Sequence, residues 1–143
     1  MSVAPVPAGY HTITPYLVVP DAPAAFAFLA AAFGAVEVRR TPTPDGGALN
    51  VEARVGDSMV MVVQARAGHE ARPASLYLYV PDVDAAYARA VAAGGVPLLA
   101  PADMFYGDRS AGVADAAGNH WWINARRENL GTDELRARVA ARA

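Results

Sequence analysis

The sequence predicts an α+β fold in which one β-α-β-β-β module occurs twice in tandem. The first observation is an internal repeat, because residues 14–35 and 75–96 align at a constant offset of 61 residues. The second is that both copies read as a strand ending in Pro-Asp, followed by an Ala-rich helix. The third is that further strand-like segments follow each helix. Two such repeats are too few for a solenoid, so we expect one domain over residues 1–143.

The first module is expected over about residues 11–64, after an extended arm. A strand is predicted at residues 11–20, and Asp21 is placed to cap a helix that ends at Gly34. The next three strands are predicted at residues 36–41, 48–55 and 58–64. Alternation in the middle one assigns its apolar residues to the core and its polar residues to the opposite face. The apolar set is Leu49, Val51, Ala53 and Val55, and the polar set is Asn50, Glu52 and Arg54.

The second module is expected over about residues 75–125, after a linker at residues 65–74. Asp82 is placed to cap its helix, which ends at Gly94. Its strands are predicted at residues 75–81, 96–99, 111–115 and 120–125, with a loop at 101–110 and a turn at 116–119. A C-terminal helix is predicted at about residues 132–141, because acidic residues lie at the positive end of its dipole.

Composition argues against several classes of function. The net charge is -2 and the arginines are scattered, so no nucleic-acid partner is expected. The chain has no cysteine, which removes disulfides, thiolate nucleophiles and zinc fingers and fits a cytoplasmic location. Residues 1–11 lack the pattern of a signal peptide, and the apolar run at residues 22–36 is too short to span a bilayer. No membrane partner is therefore expected.

Four motifs give the chain a family resemblance. They are PYLVVPD at residues 15–21, LYLYVPDVDAAYARAVAAGG at 76–95, GDR at 107–109 and DAAGNHW at 115–121. With the repeat, they make the chain resemble the glyoxalase / bleomycin-resistance / extradiol-dioxygenase (vicinal oxygen chelate) superfamily, and within it the PhnB-like branch. The resemblance implies that the strands form a cupped mixed sheet with the helices outside and that a ligand or metal binds in the cup. It also implies a homodimer.

Metal-using members of that superfamily hold a divalent ion through four His, Glu or Gln side chains on the first and last strands of the modules. The resemblance places Thr14, Val60, Ser75 and Trp122 in these four positions. Divalent ions need carboxylate oxygens or imidazole nitrogens to offset the loss of their hydration shell, and none of the four residues supplies one. No two histidines have ligand spacing on one element. We therefore expect no metal and no other cofactor.

If the ligand positions of relatives face into the cup, the period of two along each strand identifies the other residues that line it. Aromatic walls with a few polar groups suit a flat or partly apolar organic molecule. The candidate ligand-binding residues are Tyr16, Glu52, Arg54, Tyr77, Tyr79, Phe105, Trp122 and Asn124. The aromatic residues also fit a filled core, and the charged ones a solvated strand face. Residues 104–106 fit either a lid or a dimer contact, and Asp108 and Arg109 fit an ion pair that shapes the loop.

Three hypotheses of function follow. The first is a metal-independent binding protein that holds an aromatic or partly apolar molecule, such as an antibiotic or a metabolite. The second is a metal-independent enzyme of lyase or isomerase type, with Glu52 or His120 as general base, although no nucleophile–base–orienter arrangement is readable. The third is a metal-dependent glyoxalase or dioxygenase, which the four ligand positions disfavour. The sequence favours the first and leaves open whether the chain is an enzyme.

Overall fold

The computed structural model describes residues 2–142, so residues 1 and 143 of the expected domain lie outside the described part. The first module, here module 1, consists of β1 (Tyr16–Val19), α1 (Ala22–Phe33), β2 (Val36–Pro42), β3 (Ala48–Val55) and β4 (Ser58–Gln64). Module 2 consists of β5 (Ser75–Tyr79), α2 (Val83–Ala92), β6 (Val96–Asp103), β7 (Asp108–Ala114) and β8 (His120–Arg126), and α3 (Thr132–Ala141) follows it. The predicted α+β class and the β-α-β-β-β order of both modules are confirmed. Among the described helices, none is long and apolar enough to cross a membrane.

Each module folds into its own four-stranded sheet, and the two sheets have the same strand order. The order is β1-β4-β3-β2 in module 1 and β5-β8-β7-β6 in module 2. In both sheets the first strand runs parallel to the last, and the other neighbours are antiparallel. Tyr16 lies opposite Met61, and Tyr77 lies opposite Trp122. The offset of 61 residues therefore extends to the last strand of each module.

Side-chain hydrogen bonds fix where α1 and α2 begin. Asp21 and Asp82 each accept a hydrogen bond from the backbone N–H three residues on, at 3.0 and 3.1 Å, as predicted for helix caps. Gln64, at the end of β4, accepts a hydrogen bond from the backbone N–H of Ala22 at 2.9 Å. Gly34 ends α1 with φ 70°, a conformation that glycine adopts without steric cost. The hydrogen bond from Ala22 to Gln64 therefore holds the start of α1 on the sheet of module 1.

One core joins the two modules through their helices. Each helix packs on its own sheet, and α1 and α2 also contact each other. Phe33 of α1 and Trp121 of β8 pack with ring centroids 5.5 Å apart, and Arg89 of α2 donates to the Ala32 carbonyl oxygen at 3.3 Å. The largest fully buried apolar side chains come from both modules: Val19, Leu29, Val51, Val62, Val83, Val113 and Ile123. The helix-covered faces of both sheets therefore point towards this shared core.

The DAAGNHW motif closes the β7–β8 turn. Asp115 Oδ1 accepts hydrogen bonds from the backbone N–H groups of Ala117 and Asn119 at 3.0 and 2.9 Å. Its Oδ2 accepts from Trp121 Nε1 at 2.9 Å. Asn119 is buried, and its Oδ1 accepts from the backbone N–H of Ala74 at 2.8 Å, which holds the start of β5 beside β8. The motif therefore stabilises the fold.

The predicted loop at residues 101–110 is wrong, because most of it belongs to strands. β6 runs to Asp103 and β7 begins at Asp108, so only residues 104–107 form the connection. β6 is an edge strand with register shifts between Pro97 and Leu99 and again before Ala102. An edge strand with bulges tolerates prolines, which lack the N–H that a central strand needs. The prolines that predicted a loop therefore lie within a strand.

Two smaller predictions in module 1 are also wrong. The first strand begins at Tyr16 and not at residue 11, so residues 11–15 belong to the N-terminal arm. Leu49, assigned to the buried face of β3, is exposed, and Ala48 is buried instead. The β2–β3 pairing shifts register beside Ala48, which breaks the alternation from which the prediction was made.

Candidate functional site

Each sheet has one face that its helix does not cover, here called the open face. The alternation of side chains along each strand identifies the residues on it. On module 1 they are Tyr16, Val18, Asn50, Glu52, Arg54, Met59, Met61 and Val63. On module 2 they are Ser75, Tyr77, Tyr79, Asp108, Ser110, Gly112, His120, Trp122 and Asn124. The structure therefore brings all the candidate ligand-binding residues except Phe105 to the open faces.

The open face of module 2 is largely aromatic. Tyr77 and Tyr79 of β5 are 48% and 61% exposed, and their rings meet edge to face at 5.5 Å. Trp122 lies beside Tyr77 on the neighbouring strand, and His120 packs edge-on against its indole at 6.0 Å. Aromatic side chains this exposed forgo the favourable free energy of burial, so covering them with another molecule is favourable. The alternative that Tyr77 and Tyr79 fill the core is wrong.

Gly112 makes room for the Trp122 indole on this face. A Cβ at residue 112 would lie 2.4 Å from Trp122 Cζ3 and 2.5 Å from Cε3, closer than atoms can approach. The indole therefore lies directly on the β7 backbone. Its Nε1 donates a hydrogen bond to Ser75 Oγ at 3.0 Å, which fixes the orientation of the ring. The result is a flat aromatic surface held in one place.

A polar network borders the aromatic surface. The Tyr77 hydroxyl donates to Asp108 Oδ2 at 2.9 Å, and burial together with this hydrogen bond raises the pKa of Tyr77. Ser110 Oγ donates to Asn124 Oδ1 at 2.6 Å and lies 3.2 Å from the Tyr106 hydroxyl. Asp108, Ser110 and Asn124 are all buried. The sequence did not identify Ser110 as part of the site, because strand alternation could not be applied to a stretch predicted as a loop.

Asn124 lies beneath the open face rather than at its surface. It has no exposed area, and its Nδ2 donates to the carbonyl oxygens of Trp122 and Leu78 at 3.0 and 3.3 Å. With Ser110 bound to its Oδ1, both ends of the amide already have protein partners. In this conformation Asn124 supports the strands that carry the aromatic side chains.

The open face of module 1 carries Tyr16, which pairs with a histidine from the linker. Tyr16 is 51% exposed, and its hydroxyl lies 3.0 Å from His69 Nε2. The linker reaches β1 because the Arg72 backbone N–H donates to the Val18 carbonyl oxygen at 3.1 Å. No role was predicted for His69, since nothing in the local sequence pattern indicates that the linker returns to the first strand.

Glu52 is the carboxylate on the open face of module 1, and the N-terminal arm covers it. The Tyr10 hydroxyl donates to Glu52 Oε1, and Arg39 Nε lies 3.8 Å from Oε2. Burial, the hydrogen bond and the negative charge of Glu52 raise the pKa of Tyr10 to about 12. Arg54 is exposed and forms no ion pair within residues 2–142. The interpretation of the charged residues as an ordinary solvent-exposed strand face therefore fits Arg54 but not Glu52.

Phe105 lies off the open faces, whereas His120 lies beside Trp122 on the open face of module 2. Phe105 lies in the β6–β7 connection, where the Arg142 guanidinium stacks over its ring at 4.0 Å and Arg138 donates to its carbonyl oxygen at 3.1 Å. The C-terminal segment therefore packs on Phe105. His120 is exposed at the start of β8. It lies on a different sheet from Glu52, so the two candidate bases do not share one face.

The open faces of the two modules are separate within one chain. The modules meet through α1 and α2, and the helix-covered faces point towards the shared core, so the open faces point away from it. The β5 strand pairs on one side only, which leaves the backbone groups of Ser75, Tyr77 and Tyr79 along an unpaired edge. A cleft of about 700 Å³ lies between this edge and the β3–β4 turn. Within residues 2–142, the two open faces therefore do not form one cup.

Comparisons with known proteins agree with this architecture. The Glyoxalase/Bleomycin resistance protein/Dioxygenase superfamily matches the chain over residues 9–123. The chain belongs to this superfamily. Two uncharacterized proteins, from Mycobacterium bovis and Mycobacterium tuberculosis, are each 36% identical over 140 residues; the matches cover 90% of this chain and 92% and 82% of those proteins.

Solved structures of other proteins share the fold. TioX from Micromonospora sp. ML1 has a TM-score of 0.70 at 24% identity, covering 81% of this chain and 98% of TioX. A glyoxalase/bleomycin resistance protein/dioxygenase family enzyme from Burkholderia phytofirmans PsJN has a TM-score of 0.65 at 23% identity, covering 78% and 94%. At these identities the likeness supports the fold alone.

The metal-ligand positions of the superfamily hold residues that do not fit a divalent ion. The register places Met61, and not Val60, in the position that corresponds to Trp122, and Val60 points into the core. The sequence assignment of Val60 is therefore wrong, because it aligned the turns and not the paired strands. Met61 offers only a soft thioether, and the Ser75 hydroxyl already accepts from the Trp122 indole. Within residues 2–142, no three His, Cys, Asp or Glu side chains are grouped as metal ligands would be.

Proposed function

We propose that this protein is a metal-independent small-molecule-binding member of its superfamily, in the PhnB-like branch, that holds an aromatic or partly apolar ligand. The supporting observation is the aromatic open face of module 2, where Tyr77, Tyr79 and Trp122 present ring surface beside a buried polar network. Ordinary ligands gain about 0.3 kcal/mol of net binding free energy per non-hydrogen atom, or about 4 kcal/mol for a naphthalene-sized molecule of about twelve such atoms. Naphthalene-sized molecules should therefore bind weakly but measurably, and larger planar ligands more tightly.

Binding is favoured over turnover by the state of the two candidate bases. Glu52 is covered by the Tyr10 phenol, and His120 is exposed on another sheet. A general base must reach the proton that it removes, and neither residue hydrogen-bonds to a serine or threonine hydroxyl among the described side chains. The proposal therefore assigns the polar groups of the face to orientation of a ligand.

We further propose that the binding cup is completed in a homodimer. The unpaired edge of β5 and the cleft beside it, which reaches Phe33 and Trp121, offer a surface for a second chain. A dimer that joins the open face of module 1 to that of module 2 would enclose a ligand on both sides. Light scattering coupled to size exclusion should give twice the mass of the 14.9 kDa chain. A chain-sized mass at micromolar concentration would contradict the dimer.

The proposed partners are small molecules only. The scattered arginines and net charge of -2 argue against nucleic acid, and the cysteine-free composition is in line with a reducing cytoplasm. Fractionation of cells that make the protein tests the location. Recovery with the membrane fraction would contradict this part of the proposal.

The direct test of ligand binding is a titration with 2-naphthalenemethanol, a neutral planar probe. Trp122→Leu removes the flat indole surface and should weaken binding about tenfold, the loss expected for an aromatic contact with its buried area. Phe28→Leu is the matched control, because it removes a half-buried aromatic ring of α1, which covers the opposite face of the sheet. Loss of binding in Phe28→Leu but not in Trp122→Leu would place the ligand elsewhere and contradict the proposal.

A further inference from the structure

A buried carboxylate on the open face of module 2 lacks a counter-charge. Asp108 begins β7 and is only 5% exposed. Its neighbour Arg109 points to the other side of the strand, where it donates to Asp84 at 2.7 and 2.8 Å and to Asp103 at 3.1 Å. The sequence interpretation that pairs Asp108 with Arg109 is therefore wrong. The adjacent guanidinium is committed to two other carboxylates.

One protein donor reaches the Asp108 carboxylate within residues 2–142. It is the Tyr77 phenol, 2.9 Å from Oδ2, and Oδ1 has no donor there. In the same residues, Asn50 Oδ1 is the one side-chain atom that is both sealed from solvent and without a partner, so Asp108 Oδ1 is not completely sealed from solvent. Removing a carboxylate from water is costly unless a cation or several donors pair with it. The Oδ1 side of Asp108 therefore lacks a donor that a ligand can supply.

The groups closest to Asp108 do not neutralise it. The raised pKa of Tyr77 keeps its phenol a neutral donor. The hydroxyls of Ser110 and Tyr106 lie 3.2 Å from each other, and neither donates to Asp108 within residues 2–142. Arg126 is the cross-strand neighbour of Asp108, but its side chain is exposed and forms no ion pair with it. The Arg126 charge is therefore hydrated and screened, so it does not prevent a cationic ligand group from contacting Asp108 Oδ1 directly.

We propose that Asp108 and Tyr77 form an anchoring site for a cationic nitrogen, such as a primary ammonium group, on the aromatic ligand. The inference rests on the proposed function, because it adds a polar anchor to the aromatic face. An ammonium group supplies both the donor and the counter-charge that Oδ1 lacks, and charge-assisted hydrogen bonds of this kind are strong. The Tyr79 ring, 5.5 Å from that of Tyr77, adds an aromatic face beside the same site. The ligand class is then an amine-bearing aromatic molecule.

The test compares two probes of nearly equal shape on the full chain. 2-Naphthalenemethylamine is cationic at neutral pH, and 2-naphthalenemethanol is not. Binding is followed through the indole N–H signals of the two tryptophans in NMR titrations. The wild type should bind the amine about tenfold more tightly than the alcohol, as expected for a hydrogen bond to a charged group. Asp108→Asn, nearly equal in shape, should lower the affinity for the amine to that for the alcohol.

Arg126→Gln provides a second test that does not require a buried residue to be replaced. Removing a positive charge across the strand from Asp108 should strengthen amine binding about two- to threefold and leave alcohol binding unchanged. Equal affinities for the two probes in the wild type, with the same ratio in both variants, would overturn the anchoring site and leave the proposed aromatic binding intact. Failure of both probes to bind would overturn the proposed function and the anchoring site together.

Discussion

Gly112→Ala is the substitution that most sharply tests the aromatic surface of module 2. The added Cβ would lie 2.4 Å from Trp122 Cζ3, whereas ordinary contacts begin at 3.4 Å, so the indole must move by about 1 Å or swing away. Such a movement breaks the 3.0 Å hydrogen bond from Trp122 Nε1 to Ser75. Overpacking costs about 1–3 kcal/mol and a hydrogen bond about 1 kcal/mol.

Because Trp122 is half-exposed, it can relieve the clash by turning towards solvent. We therefore expect a loss of only about 1–2 kcal/mol in the free energy of unfolding, at the lower end of the overpacking range. The affinity for 2-naphthalenemethanol should fall about tenfold, because the flat indole surface is lost. Urea denaturation measures the first quantity and the NMR titration the second.

Gly131→Ala is the matched control for this variant. Gly131 has φ -80° and nothing within 4 Å of its would-be Cβ, so Ala fits there at a cost below about 1 kcal/mol for the cap of α3. Its probe affinity should equal that of the wild type. If Gly112→Ala keeps both the wild-type affinity and the wild-type Trp122 indole N–H signal, the indole does not lie over Gly112 and the reasoning fails.

Four further predictions concern the hydrogen bonds that hold the arm and the β7–β8 turn. Tyr10→Phe leaves the partly buried Glu52 carboxylate without its phenol donor and should cost about 1–3 kcal/mol in urea denaturation; a loss indistinguishable from zero would mean that the arm does not lie on Glu52. Since the folded-state pKa of Tyr10 is raised above 10.0 to about 12, the stabilisation from its protonated phenol is fully present below pH 10 and is lost as the pH rises towards 12. Glu52→Gln should lower that pKa towards 10, seen as one phenol ionising earlier in a titration at 295 nm, and Tyr10→Phe in the same background should abolish the change. Asp115→Ala leaves the backbone of the turn and the Trp121 indole without their acceptor, so the free energy of unfolding should fall by about 2–4 kcal/mol. The helix-cap variant Asp82→Ala should lose only about 1 kcal/mol. Equal losses in the two variants would contradict the role assigned to Asp115.

The fold was predictable because its signals are local and occur twice. Asp21 and Asp82 cap helices whose starts the sequence marks with Pro-Asp, and the offset of 61 residues identifies the second module from the first. The β6–β7 connection was not predictable, because Pro97 and Pro101 normally argue against a strand and only its position at a sheet edge makes them acceptable. Local chemistry alone does not reveal which strand becomes an edge.

The candidate site was predictable only where strand alternation applies. Tyr77, Tyr79 and Trp122 follow from the period of two along β5 and β8. Tyr10 and His69 were missed because they reach the open face of module 1 from the arm and the linker, across tertiary contacts that no local pattern encodes. Strand alternation also does not reveal how deeply a side chain is buried, since Asn124 lies on the predicted side of its strand but beneath the surface.

The central claim is that aromatic ligands bind without a metal, and one titration tests it most directly. 2-Naphthalenemethanol is titrated into the protein in excess EDTA and again with added zinc or manganese, with the indole N–H signal of Trp122 as the readout. We expect the same affinity in both series and a shifted Trp122 signal, because the metal-ligand positions hold Thr14, Met61, Ser75 and Trp122. Binding that requires the metal, or binding that leaves the Trp122 signal in place, would contradict it.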